Sequence, residues 1–131
     1  MQLKFISLPV KDQEAALAFY TKVLGFEKMA DIPLGDYRWL TVTSPDGLEG
    51  VELVLEPMAF TPAQVYQKAL FDAGIPWTAF VTRDIQADYE RLKKQGVVFR
   101  SEPQAQGPIQ SVLFEDTCGN LINLVQPVQA M

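Results

Sequence analysis

A chain of 131 residues, 48% hydrophobic and 21% charged, has the composition of one globular domain, able to bury roughly two-thirds of the surface its unfolded form exposes. A net charge of −5 argues against nucleic-acid partners, which need a basic surface, and no apolar run approaches the roughly 20 residues of a membrane span. With no histidine, Ser-His-Asp and Cys-His catalysis and any His-ligated metal are excluded, and the lone Cys118 cannot close an internal disulfide. With no signal-peptide pattern either, the expected location is the reducing cytoplasm.

The first predicted strand, about Leu3 to Pro9, alternates Phe5, Ser7 and Pro9 on one side with Ile6, Leu8 and Val10 on the other. Asp12 then stands where a helix N-cap would, its carboxylate able to accept an orphan backbone N–H. Ala16, Phe19, Tyr20, Val23 and Leu24 fall at i, i+3, i+4, i+7 and i+8, the apolar stripe of a helix over Gln13–Leu24. Gly25 is placed to end it with positive φ. Strands follow at Glu27–Ile32, Tyr37–Thr43 and Val51–Glu56, where Pro57 stops the last. On the middle one, Leu40 and Val42 share a face and Tyr37, Trp39 and Thr41 share the other. Thr61 as N-cap and Pro62 as first helical residue predict a short bridging helix ending at Gly74.

The same grammar then repeats. FVTRDIQADYERLKKQGVVF, Phe80 to Phe99, has a short apolar run, Asp84 as cap, Ile85, Tyr89 and Leu92 on one helix face, and Gly96. The caps are 72 residues apart and the glycines 71. Predicted elements are strands at Trp77–Thr82, Val97–Arg100, Ile109–Phe114 and Leu121–Val125 and a helix over Ile85–Gln95, with EPQAQGP between Glu102 and Pro108 as a polar loop. Each half closes on a strand, a turn (Pro45-Asp46-Gly47; Thr117-Cys118-Gly119-Asn120) and a strand. The fold implied is α+β: two tandem β-α-β-β-β modules, 1–57 and 77–131, joined by a bridge over 58–76, as one domain whose eight strands form a mixed sheet curled around a cleft.

At this point the chain resembles the vicinal oxygen chelate superfamily, which includes glyoxalase I, bleomycin-resistance proteins and extradiol dioxygenases. The resemblance rests on Leu8-Pro9-Val10-Lys11-Asp12, Ala18-Phe19-Tyr20, Leu24-Gly25-Phe26, Val51-Glu52-Leu53 and Phe114-Glu115-Asp116-Thr117-Cys118-Gly119-Asn120, in that order across nearly the whole chain. It implies the fold more strongly than any activity, because one fold hosts many. Enzymes of the family hold a divalent metal with four side chains, usually His, Glu, His and Glu. Carried over by position, these places hold Phe5, Glu52, Trp77 and Asn123. Only Glu52 is a good ligand, so the family's metal site is expected to be absent and no cofactor is expected.

In its place the resemblance implies an aromatic, apolar pocket from Phe5, Trp39, Val54 and Trp77, with Ser7, Thr41, Glu52 and Asn123 as its sparse polar groups. Trp39 and Trp77 could stack on a planar ring or a cation. Arg38 and Arg100 are secondary candidates as anion anchors, and Cys118 reads as an inert or mildly reactive thiol. The expectation is a metal-free small-molecule binding protein, a homodimer like others of the family, holding an aromatic or amphipathic ligand. The alternative is a glyoxalase, lyase or dioxygenase-type enzyme, metal-dependent or not, with Glu52 as the one candidate base. Neither nucleic acid nor membrane is expected as a partner.

Overall fold

In the computed structural model, which describes residues 1–128, hydrogen bonding sorts eight strands into two four-stranded sheets, one per module, where one eight-stranded sheet was expected. The chain divides into two compact units, the first ending at Tyr66 and the second beginning at Gln67. No helix among the described residues is long and apolar enough to cross a membrane.

The first unit runs β1 (Phe5–Val10), α1 (Gln13–Ala18), β2 (Glu27–Leu34), β3 (Tyr37–Thr43) and β4 (Glu52–Pro57). Its sheet order is β1-β4-β3-β2, with β1 parallel to β4 and the other neighbours antiparallel. The Asp12 carboxylate accepts from the Ala15 N–H at 2.9 Å, which starts α1 where the sequence places it. One face of the sheet buries Leu8, Val10, Leu40, Val42 and Leu55, and the helix contributes Ala16, Phe19 and Tyr20 to the core. Each fully buried side chain of this size contributes about 1.5–3 kcal/mol of hydrophobic stabilisation.

The first helix does not remain α-helical to Leu24. From Phe19 to Val23 it widens to a π-helical turn, with the Leu24 N–H reaching back five residues to the Phe19 carbonyl. The Thr21 hydroxyl donates to the Leu17 carbonyl at 2.6 Å, a side-chain bond that competes with the regular ladder there. The adjacent Phe19 and Tyr20 are both buried, their rings meeting edge to face at 5.4 Å. Gly25 ends the element at φ +83°, as its position implies.

The bridging helix α2 (Thr61–Asp72) leads into β5 (Thr78–Val81), α3 (Ile85–Lys94), β6 (Gln104–Gln106), β7 (Ile109–Glu115) and β8 (Leu121–Pro127). The second sheet repeats the first, in order β5-β8-β7-β6 with β5 parallel to β8. Asp84 caps α3 through the Ala87 N–H at 3.0 Å, and Ile85, Tyr89 and Leu92 are its buried face.

Two expectations are corrected in this unit. Val97–Arg100 is not a full strand: it holds a single bridge, Phe99 to Phe114, flanked by the Arg100 N–H to Leu113 and Glu115 N–H to Val98 bonds. The ladder resumes inside the segment expected to be a loop, as β6, because Pro103 has no N–H to continue it. Phe99 faces Phe114 but Gln104 faces Ser111, so the strand carries two extra residues, 101–103 forming the excursion. Trp77, expected within a strand, sits in a bend just before β5, its N–H bonded to the Leu121 carbonyl at 2.8 Å.

Candidate functional site

Six of the eight predicted site residues lie on one face of the first sheet, opposite α1. Parallel pairing sets Phe5 beside Glu52 and Ser7 beside Val54, and antiparallel pairing sets Val54 beside Thr41. Alternation then brings Phe5, Ser7, Trp39, Thr41, Glu52 and Val54 to the same side. Thr41 and Val54 are buried, Phe5 is about half exposed, and Trp39 is intermediate. The Phe5 and Trp39 rings meet edge to face, centroids 5.3 Å apart, the preferred geometry for an aromatic pair. Ser7 turns its hydroxyl to Glu56 at 3.1 Å.

Glu52 is the buried carboxylate of this face, 9% exposed. The Thr41 hydroxyl donates to its Oε1 at 2.6 Å, and the Lys4 ammonium stands 3.3 Å from its Oε2. Sequence reasoning missed Lys4. Strand alternation would send it to the face opposite Phe5, but β1 begins only at Phe5, so Lys4 is free of that rule. Its ammonium lies 5.6 Å from the Phe5 ring centroid and donates to the Gly50 carbonyl at 3.3 Å.

The other two predicted residues belong to the second unit, and strand register changes the reading of one. Ser7, Val54 and Thr41 form a row across three strands; Ala79, Asn123 and Leu113 form the corresponding row. Asn123 is therefore the counterpart of Val54, not of Glu52. The counterpart of Glu52 is Leu121, the first residue of β8 as Glu52 is the first of β4, and it is buried. The placement carried over from the family is thus two residues beyond the register counterpart, and the prolines that close these strands do not correct it, because the last strand of the second module runs one residue further relative to its partner.

These residues do not fit a divalent metal. Phe5 and Leu121 have no donor atom for one, and both oxygens of Glu52 already have partners in Thr41 and Lys4. Among the described residues, no three of His, Cys, Asp and Glu are gathered to hold an ion.

Elsewhere on the first unit a groove of about 340 Å³ is lined by Lys11, Gln13, Glu14, Asp36, Tyr37, Arg38, Pro57 and Met58. Its guanidinium is committed. Arg38 donates to both oxygens of Asp31, at 2.9 and 2.6 Å, and to Glu14 at 2.6 Å. The pairing holds the Asp31 carboxyl below its ordinary value and raises Arg38 further, first through the Asp31–Arg38 hydrogen bonds. Gln13 spans β3 and β4, donating to the Arg38 and Leu55 carbonyls and accepting from the Arg38 N–H. Arg100, the other candidate anchor, is paired with Glu115 at 3.1 Å and lies over the Phe71 ring. Neither arginine serves as an open anion anchor.

Cys118 is buried in the turn before β8. There the fully buried Asp116 accepts from the Cys118 and Asn120 N–H groups and the Asn120 amide, while Gln67 of α2 donates to the Cys118 carbonyl and the Asn120 side chain. The turn is a satisfied structural network.

The model of the Glyoxalase/Bleomycin resistance protein/Dioxygenase superfamily matches residues 2–124 of this chain. The uncharacterized protein YurT of Bacillus subtilis (strain 168) is 48% identical over 126 residues, covering 96% of this chain and 99% of YurT. Among solved structures, UcmS2 is 32% identical with a TM-score of 0.80, covering 95% of this chain and 97% of UcmS2. TnmS3, an antibiotic binding protein from Streptomyces sp. CB03234, is 30% identical with a TM-score of 0.76, covering 97% and 96%.

Proposed function

Because the chain belongs to the glyoxalase/bleomycin resistance protein/dioxygenase superfamily, we propose that it binds an aromatic or amphipathic small molecule without a metal, on the face of its first sheet opposite α1. The observation that carries this reading is the Phe5–Trp39 pair standing beside the partnered Glu52. The aromatic wall occupies the place where family enzymes keep a ligand set, and a mostly apolar surface with few polar groups suits such a molecule. The likeness to an antibiotic binding protein supports it. Trp77 and Asn123 are proposed as the second unit's contribution to binding.

The test is a titration of a neutral planar aromatic compound into the protein, followed by tryptophan fluorescence and melting temperature. A ligand of the native state raises the melting temperature by mass action. Trp39→Ala should weaken binding by about 1–3 kcal/mol, the worth of stacking and burying an indole. Binding unaffected by Trp39→Ala and by Phe5→Ala would move the site off this face. The enzyme alternative uses the same Glu52 as base, and turnover lost in Glu52→Gln would establish it.

The protein is also proposed to be cytoplasmic and a homodimer. β2 is an edge of the first sheet and exposes Met29, Ile32 and Leu34, surface that a two-fold contact would cover. Light scattering at the monomer mass of 14.7 kDa, independent of concentration, would refute the dimer.

A further inference from the structure

Resting on that reading of the face opposite α1, we propose that the site takes an organic cation, an aromatic amine, and that Lys4 is a tethered stand-in for the ligand's ammonium group. Three kinds of contact define the place Lys4 occupies. Its Nζ is 3.3 Å from Glu52 Oε2, 5.6 Å from the Phe5 ring centroid, and 3.3 Å from the Gly50 carbonyl oxygen. A carboxylate, an aromatic ring and a backbone carbonyl converging on one point are the donor-hungry surroundings that an alkylammonium seeks.

The two partners differ in how firmly they are held. Glu52 sits on β4, and the Thr41 hydroxyl fixes its Oε1 at 2.6 Å, which turns Oε2 toward the cation. Its side chain is 11% exposed, against 47% for that of Lys4, which precedes β1 and hangs from a residue outside the strand. The lysine end of the pair stands half in solvent, so its ammonium can leave for water and give its place to another cation. Swinging Lys4 away leaves a nearly buried carboxylate uncompensated beside the Phe5–Trp39 wall. A ligand that brings a ring and an ammonium together meets both features at once. The balance of 16 acidic against 11 basic side chains favours the approach of a cation.

The test uses three naphthalene probes that share a ring and differ in charge: 1-naphthylmethylamine, which is cationic at neutral pH, neutral N-(1-naphthylmethyl)acetamide, and anionic 1-naphthylacetate. Affinities are read by tryptophan fluorescence for wild type, Lys4→Met and Glu52→Gln. In Lys4→Met the amine should bind tighter by on the order of fivefold to tenfold, from removal of the competing ion pair and cation–π contact. The acetamide should be unchanged. In Glu52→Gln the preference for the amine over the acetamide should vanish. Acetamide bound equally by all three proteins, with the amine no tighter in Lys4→Met, would overturn the cation assignment and leave the aromatic site standing. Failure of all three probes to bind any of the proteins would overturn the aromatic site itself. The Lys4→Met arm alters an exposed side chain, so it reads out whether or not Glu52→Gln folds.

Discussion

Asp12 and Asp84 cap their helices with the same bond, to the amide three residues on, at 2.9 and 3.0 Å. Each of the two modules pairs its first strand parallel to its last and hangs the middle strands antiparallel beside it. The positions on the face opposite the helix do not repeat. Where the first module has Ser7, Thr41, Glu52 and Val54, the second has Ala79, Leu113, Leu121 and Asn123. What was kept in both copies is what the fold needs: a cap, an apolar helix face and a glycine at the helix end. The carboxylate with its hydroxyl and ammonium partners exists in one copy only, so the one candidate base belongs to the first module.

The helix faces offer the largest effects with which to test the shared scaffold. Phe19 of the first module and Leu92 of the second are both buried against their own sheets. Phe19→Ala should cost about 3–5 kcal/mol and Leu92→Ala about 2–5 kcal/mol, read as a lower urea midpoint. A midpoint unchanged in Phe19→Ala would mean that the π-helical turn does not deliver that ring to the core.

The turns should separate the modules. Gly119 has φ +100°, and a Cβ there would come within 2.6 Å of the buried Gln67 side chain. Gly47, in the corresponding turn, is outside the positive-φ set, and its nearest contact would be the Ser44 Cβ at 3.2 Å. Gly119→Ala should therefore destabilise by about 1–3 kcal/mol, and Gly47→Ala by much less. Equal losses would contradict the special role given to the Gln67-braced turn.

A smaller effect, visible through pH, should come from the Arg38 cluster. The folded carboxyl of Asp31 lies below its ordinary value of 3.8, chiefly through its hydrogen bonds with Arg38. A lowered folded value means its contribution is fully present above the unfolded value and is lost as pH falls through the folded one. Asp31→Asn should therefore lower the urea midpoint at neutral pH and match wild type in strong acid. Both groups are partly exposed, so the difference should be small and should shrink with added salt.

Much of this was legible in the residues. The caps at Asp12 and Asp84, the alternation of Phe5 to Val10 and the span Tyr37–Thr43 all follow from local rules that tertiary contacts did not override. The π-helical turn was not legible, because the same apolar spacing suits either helix. Nor was β6, since Gln104–Gln106 is polar and proline-bounded and pairs only because β7 offers a partner. At the site, Glu52 could be found from its family position, and Phe5, Trp39 and Thr41 from alternation. Lys4 could not, because its orientation depends on where β1 begins. The place of Asn123 needed strand register, because carrying the family position over by sequence alone lands two residues beyond Leu121.

The central claim is that the Phe5–Trp39 face of the first module binds its ligand without a metal, and elemental analysis of the protein as isolated, run beside Glu52→Ala, tests it most directly. The account predicts no stoichiometric transition metal in either protein, and no rise in melting temperature when Zn²⁺ or Ni²⁺ is added. A full equivalent of metal in the wild type that is lost in Glu52→Ala would make Glu52 a ligand and replace the binding protein with a metalloenzyme.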